Sequence, residues 1–213
     1  MSEDDAGGAR PVVRRKRGEE RLKTLLAAVG SLLEEEETVD IGLYQIARRA
    51  GVPPSSIYHF FPTKEAALLA LAHQHLEAFV TLARTGPVEQ MSRWQDLIRS
   101  RIQAATSYYN ANPSAMKLFL GSPLSADVRH QDVAGTLSLA AVREAAMEAH
   151  FVMPEIANWQ EKLAISIAMA DGIWTLSYTR HRCITESYVE EGIRAVTAYL
   201  RCFLPEHIDP RHP

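Results

Sequence analysis

"QIARRAGVPPSSIYHFFPTKEA" (Gln45–Ala66) decides the fold of this chain. Ala47, Gly51 and Ile57 fall at offsets of four and ten, the spacing a helix-turn-helix requires. The small residue lets the second helix approach closely, the glycine makes the sharp turn, and the β-branched residue fills the space between the helices. Pro54 suits a first helical turn, where its missing N–H costs nothing, and Pro62 ends the segment because the residue before a proline avoids helical angles. About two turns are expected between them. With Ile57 facing inward, Ser55, Ser56, Tyr58 and His59 face outward, and hydroxyl, phenol and imidazole groups can grip phosphates and read base edges. Lys64 opens the next helix, where a cation and backbone N–H groups meet phosphate. Phe60 and Phe61 are expected to pack the short helix onto its neighbours.

Upstream, Leu22, Leu25, Leu26, Val29, Leu32 and Leu33 lay an apolar stripe along a first helix. It runs into the acidic stretch Glu34–Glu37, read as a solvated surface. A second helix, "GLYQIARRAG", begins at Gly42, with Gln45 placed to reach back as in a capping box, and stops at Gly51 in a left-handed conformation. Thr63 caps a fourth helix that continues to about residue 85, about 30 Å of helix and long enough to leave one compact unit and enter another. Further helices are expected near 90–110, 113–121, 127–150, 155–181 and 185–203. Alternating strand patterns, internal repeats and low-complexity tracts are missing from the sequence. The fold class is therefore all-α.

The text Ile46-Ala47, Ala50-Gly51-Val52, Tyr58-His59-Phe60-Phe61 and Lys64-Glu65 resembles the DNA-binding signature of the TetR family of transcriptional regulators, over roughly residues 20–70. The resemblance implies an N-terminal three-helix helix-turn-helix domain joined by a long helix to a C-terminal helical domain that binds ligand and dimerises. It divides the chain into a basic flexible arm at 1–18, a DNA-binding domain at 19–64 and an effector-binding and dimerisation domain at 65–213. Ser55, Ser56, Tyr58, His59 and Lys64 then fall on DNA-contacting positions. Three departures from the family pattern stand out: Gly42 replaces a frequent threonine, Pro53 replaces a Ser/Thr cap, and the glycine after the first helix gives way within "EEEETVD". Each removes a side-chain or turn feature and shifts weight to the basic arm.

Charge is unevenly placed. Residues 10–23 hold seven Lys/Arg against two Glu, a net of +5, so with a chain total of −3 the remainder carries −8. Arg14, Arg15, Lys16 and Arg17 can follow the phosphate backbone or minor groove beside the motif, or serve only solubility. Cys183 and Cys202 are too few for a disulfide framework and indicate a reducing compartment. The start "MSEDDAGG" lacks an apolar signal core, and "LAISIAMADGIWTL" is interrupted by Asp171 and too short to span a bilayer. A cytoplasmic location is expected.

For the C-terminal domain, the near-continuous apolar character between Leu163 and Trp174 requires cover on two sides, one of them a second subunit. The stripe Ile193, Val196, Leu200 and Phe203, with Ile167, is the expected dimer interface. Trp94, Tyr108, Tyr109, Met116, Phe119, Met147, Phe151, Met169 and Trp174 are the bulky groups from which an effector pocket can be lined, with Asp171 and His150 as polar contacts. These residues serve equally as ordinary core. Catalytic signatures are missing: His73 and His75 lie on different helix faces, unlike a zinc pair at i, i+4, and GxSxG and phosphate-binding glycine loops do not occur. The expectation is a non-enzyme without cofactor or metal, a homodimeric repressor released from a palindromic operator by a small, largely apolar effector. The alternatives are an activator or corepressor-type regulator of the same fold, or a helical adaptor protein.

Overall fold

The computed structural model describes residues 9–35, 41–85, 91–121 and 126–211. Nine helices form among them and no strand: α1 Ala9–Glu35, α2 Leu43–Arg49, α3 Pro54–Ile57, α4 Lys64–Thr85, α5 Trp94–Ala111, α6 Pro113–Phe119, α7 Ala126–His150, α8 Trp159–His181 and α9 Glu186–Leu200. Two compact units divide between Leu71 and Ala72, inside α4. The expected boundary at residue 64 lies about two helical turns before this division, at the start of the same helix. Helix α1 begins at Ala9, so residues 9–18 of the expected flexible arm are helical, and residues 1–8 lie outside the described residues.

The N-terminal unit is closed by the inward stripe of α1. Leu25, Leu26, Val29, Leu32 and Leu33 are buried with Ile41, Ile46, Ala47, Ile57, Phe61, Ala67 and Leu68. Leu22 is only half-buried, at the edge of the stripe. Arg49 on α2 forks onto Glu35 at 2.7 and 2.6 Å and reaches Ser31 Oγ, so this end of the acidic run is tied to the neighbouring helix as well as solvated. The guanidinium holds the Glu35 carboxyl below its ordinary range. The pair is exposed and adds geometry more than stability.

The C-terminal unit packs α8 against α7 and α9, and α5 against α6 and α9. Trp94, Leu97, Ile98, Ile102, Met147, Phe151, Leu163, Val196 and Leu200 form its centre. Ile193, Val196 and Leu200 are therefore enclosed by their own chain, and Ile167 is buried too. This corrects the expected interface: an apolar stripe seats α9 on its own domain, and its period cannot distinguish that from a partner. Phe203 is half-buried, stacked edge-on with Tyr199 at 5.2 Å and covered by Lys162. The outer face of α8 carries Ile165, Ala168, Gly172 and Leu176, all exposed, with Ile165 at 43% and Leu176 at 59%.

After α9 the chain folds back. Trp94 Nε1 donates to the Pro205 carbonyl at 2.9 Å and Gln95 Nε2 to that of Glu206 at 3.0 Å. The Val152 N–H donates to the Asp209 carbonyl at 2.8 Å and the Arg211 N–H to that of His150 at 2.7 Å. Ile208 is buried beneath this clasp. Helix α4 is long and apolar enough, by length and composition, to cross a bilayer. Its apolar residues Ala67, Leu68 and Leu71 are nonetheless buried in the N-terminal unit, and Ala72, Leu76 and Phe79 in the C-terminal one.

Candidate nucleic-acid interface and ligand cavity

The helix-turn-helix is assembled by local forces. The Gly42 N–H donates to Gln45 Oε1 at 2.7 Å, half of a capping box, while glycine supplies no side chain for the other half. Gly51 adopts φ +65°, the left-handed conformation that turns the chain from α2 into α3. The Val52 N–H donates to the Ala47 carbonyl at 3.0 Å, holding that turn shut. Helix α3 has Pro54 at its first position and is only four residues long, shorter than the two turns expected. Tyr58, His59 and Phe60 continue it as a tight turn, with the Phe60 and Phe61 N–H groups both donating to the Ile57 carbonyl at 2.9 and 2.8 Å. Pro62 then keeps Phe61 out of helical angles, so the turn is not continued into α4.

Ile57 and Phe61 point inward at 1% and 3% exposure, and Phe60 is half-buried. The opposite side presents Ser55, Tyr58 and His59 to solvent, with Ser56 partly covered and Tyr58 63% exposed. A large aromatic left this open has no part in packing its own unit. The Ala66 N–H donates to Thr63 Oγ1 at 3.2 Å, which caps α4 and places Lys64, partly buried, at the helix start. Lys16 and Arg17 on α1 are exposed, and the side chains of Arg14 and Arg15 lie outside the described residues.

In the C-terminal unit, a cavity of about 80 Å³ opens between α4, α5, α7 and α8. Its walls are mostly apolar, from Leu76, Phe79, Ile102, Ala105, Leu139, Ile167, Ala170 and Trp174, with Tyr109 among them. Four charged side chains also reach it: Arg101, Asp132, Arg143 and Asp171. Burial lifts the Asp171 carboxyl from 3.8 to about 7, helped by the neighbouring charge of Asp132 and opposed by Arg143. Asp171 lines the cavity and keeps only partial accessibility, and desolvation outweighs the neighbouring charges. Burial also lowers Arg143 to about 10 and raises Asp132, which Arg129 holds at 3.2 Å. A wider groove of about 590 Å³ runs along α7 past Ala141, Val142, Ala145 and His150, and shares Ala83 and Arg101 with the cavity.

Of the nine bulky residues expected at a pocket, Tyr109 and Trp174 line the cavity. Trp94, Met116, Met147 and Phe151 are core side chains elsewhere, and Phe119 and Met169 are half-buried off the lining. Tyr108 instead donates or accepts at His75 Nδ1, 2.8 Å away. Asp171 lines the cavity, whereas His150 lies on the groove. Ile167 belongs to the cavity wall. The residues missed are Leu76, Phe79, Arg101, Ile102, Asp132, Leu139 and Arg143, and no single segment brings them together. Only Asp171, a carboxylate inside an apolar run, carried a visible signal.

Comparison with known proteins follows this geometry. The profile of the bacterial regulatory proteins of the tetR family matches residues 33–71, the span from the end of α1 through α2 and α3 into α4. The HTH-type transcriptional regulator EthR of Mycobacterium tuberculosis is 39% identical over 57 residues, 27% of this chain and 26% of that protein. Residues 33–71 thus carry a TetR-family DNA-binding signature. EthR of Mycolicibacterium smegmatis is 29% identical over 107 residues, 48% of each protein. The matched parts thus span less than half the length of these curated relatives. Likeness of fold extends further: a TetR-family transcriptional regulator of Streptomyces coelicolor superposes with a TM-score of 0.71 at 20% identity, over 87% of this chain and 98% of that one. SmeT, described as the repressor of the Stenotrophomonas maltophilia multidrug efflux pump SmeDEF, gives 0.63 at 14% identity, over 87% and 91%.

Proposed function

We propose that this chain is a TetR-family homodimeric transcriptional repressor that a small, largely apolar effector releases from a palindromic operator. The observation that carries the reading is the polar, outward surface of Ser55, Tyr58 and His59 on a helix-turn-helix whose inward side is fully packed. The hydroxyl, phenol and imidazole groups of this face, with Tyr58 63% exposed just past a four-residue helix, suit phosphate and base-edge contacts. Lys64 and the cations of α1, Arg14, Arg15 and Arg17, add phosphate attraction.

Two recognition helices in a symmetric dimer would read successive major grooves, about 34–36 Å apart. The exposed face Ile165, Ala168, Gly172 and Leu176 on α8 supports self-association: it is apolar, follows the helical repeat and is left uncovered by the described residues of its own chain. The cavity supports the effector. One helix, α4, supplies both the Lys64 end and the Leu76–Ala83 wall. A ligand that displaces this wall therefore acts on the element that leads out of the DNA-binding unit. Release requires only a few kcal/mol of differential affinity between the two states.

Selection of duplexes from a random DNA pool tests the proposal, with the Tyr58→Ala/His59→Ala variant run in parallel. Enrichment of a palindrome by the wild type and not by the variant is the expected outcome. A variant that enriches the same sequence, or a wild type that enriches none at low salt, overturns it.

A further inference from the structure

Two arginines converge on the cavity without a carboxylate to hold them. Arg101 comes from α5 and Arg143 from α7, and each lines the same enclosed space. A guanidinium carries five N–H donors. Arg143 donates from Nη1 to Ser166 Oγ at 3.1 Å, and Arg101 from Nη1 to the Leu82 carbonyl at a long 3.5 Å. Neither forms an ion pair among the described residues, and none of their nitrogens is buried without a partner, so the remaining donors keep accessible surface, on side chains that line the cavity and, for Arg101, the α7 groove as well. Taking a cation out of water is costly unless an anion and good acceptors replace the water.

The two carboxylates of the cavity do not meet this need. Asp132 is engaged by Arg129 at 3.2 Å. Asp171 is desolvated to the point that it is protonated about half the time near neutral pH. Arg143, meanwhile, is pushed down by burial and further by the positive charge of Arg101, opposed only by Asp171. Counting the four charged side chains of the cavity, Arg101 and Arg143 against Asp132 and a half-ionised Asp171, the site is left slightly positive. The surrounding walls are Leu76, Phe79, Ile102, Leu139, Ile167 and Trp174.

We propose that the ligand of this cavity is an apolar acid: an aliphatic or aromatic body seated among these side chains, with one carboxylate bridging Arg101 and Arg143. The inference rests on the reading of the cavity as the effector site. A planar carboxylate matches the fork of a guanidinium, and a single anion between two cations relieves their mutual repulsion. Arg101 lies on the wall common to the cavity and the α7 groove, so it meets the head group at the entrance. A space of about 80 Å³ is smaller than a drug-sized ligand needs, so the acid enters by displacing the wall it shares with the groove.

The test compares octanoate, octan-1-ol and octylamine, equal in chain length and different in head group, binding the full-length protein. Calorimetry gives the affinities, and Trp174 on the cavity wall adds a fluorescence readout. Octanoate is expected to bind about tenfold or more tighter than the alcohol or the amine, as a charged hydrogen-bonded pair would provide. Arg143→Met and Arg101→Met should each lose about tenfold or more for octanoate. Both should keep octanol affinity, which reports that the apolar walls remain folded. A preference for octylamine, no octanoate binding at millimolar concentration, or octanoate affinity unchanged in both variants overturns the proposal. Operator binding is followed in the same samples. Octanoate binding without any operator leaves the ligand class standing and removes the repressor, whereas an operator without octanoate binding removes only the ligand class.

Discussion

Replacing Asp171 by asparagine should make the protein more stable at alkaline than at acidic pH relative to wild type. In the unfolded chain this carboxyl ionises near 3.8, while the folded cavity holds it at about 7. A raised carboxyl favours folding while it is protonated in both states, and that stability is lost as pH climbs from the unfolded value through the folded one. Between pH 5 and pH 8 the unfolded side chain is already ionised and the folded one resists, which costs about 3 kcal/mol at most. Asp171 keeps some accessible surface, and solvent screening there reduces this to about 1–2 kcal/mol. For a chain of this size that is about 5 °C in melting temperature. Asparagine keeps the shape and removes the titration. The measurement is the difference in melting temperature, variant minus wild type, at pH 5 and at pH 8. The variant should gain about 5 °C on the wild type between the two conditions. Equal differences at both pH values would refute the claim that Asp171 is desolvated in the folded state.

Two other perturbations read the fold directly. Gly51→Ala places a side chain at φ +65° and should cost about 1–2 kcal/mol in denaturant unfolding, although a Cβ there meets no other atom within 4 Å; an unchanged midpoint would refute the backbone argument. His75 is buried against Tyr108 and Ser114 and lowered by desolvation to about 4, so the unfolded chain takes up its proton first and stability is lost as pH falls from 6.5 toward 4. His75→Gln should remove about 1–2 kcal/mol of that acid loss, seen as a flatter melting profile between those pH values.

The N-terminal unit was legible because its determinants are close in sequence. Ala47, Gly51 and Ile57 act within one turn of each other's partners, and proline at 54 and 62 punctuates the same short helix from both sides. The length of α3 was overstated, because residues 58–60 close as a tight turn rather than a second helical turn, and residues 9–18 were expected to be a flexible arm where the chain is helical. The ligand cavity was mostly hidden. Arg101, Asp132 and Arg143 come from α5 and α7, and only packing brings them to Asp171 on α8. Size misled as well: Trp94 and Phe151 are completely buried core residues, because a large apolar side chain fills space more readily than it borders a void. One overlooked sign was Gly135, mid-helix in α7, where a Cβ would fall 2.4 Å from Leu76 Cδ2 and would force back a side chain of the cavity wall.

The clasp after α9 joins parts of the chain that are distant in sequence. The amides of Val152 and Arg211 lie outside any helix, yet each donates to a carbonyl across this junction, at 2.8 and 2.7 Å. In most irregular segments such amides exchange with solvent almost as soon as they meet it. Here exchange demands that the chain end lift away, exposing Ile208 and depriving the Trp94 indole of its acceptor in one event. Deuterium uptake at these two amides thus becomes a gauge of how tightly the start of α5, the end of α7 and the chain terminus open as a single cooperative unit.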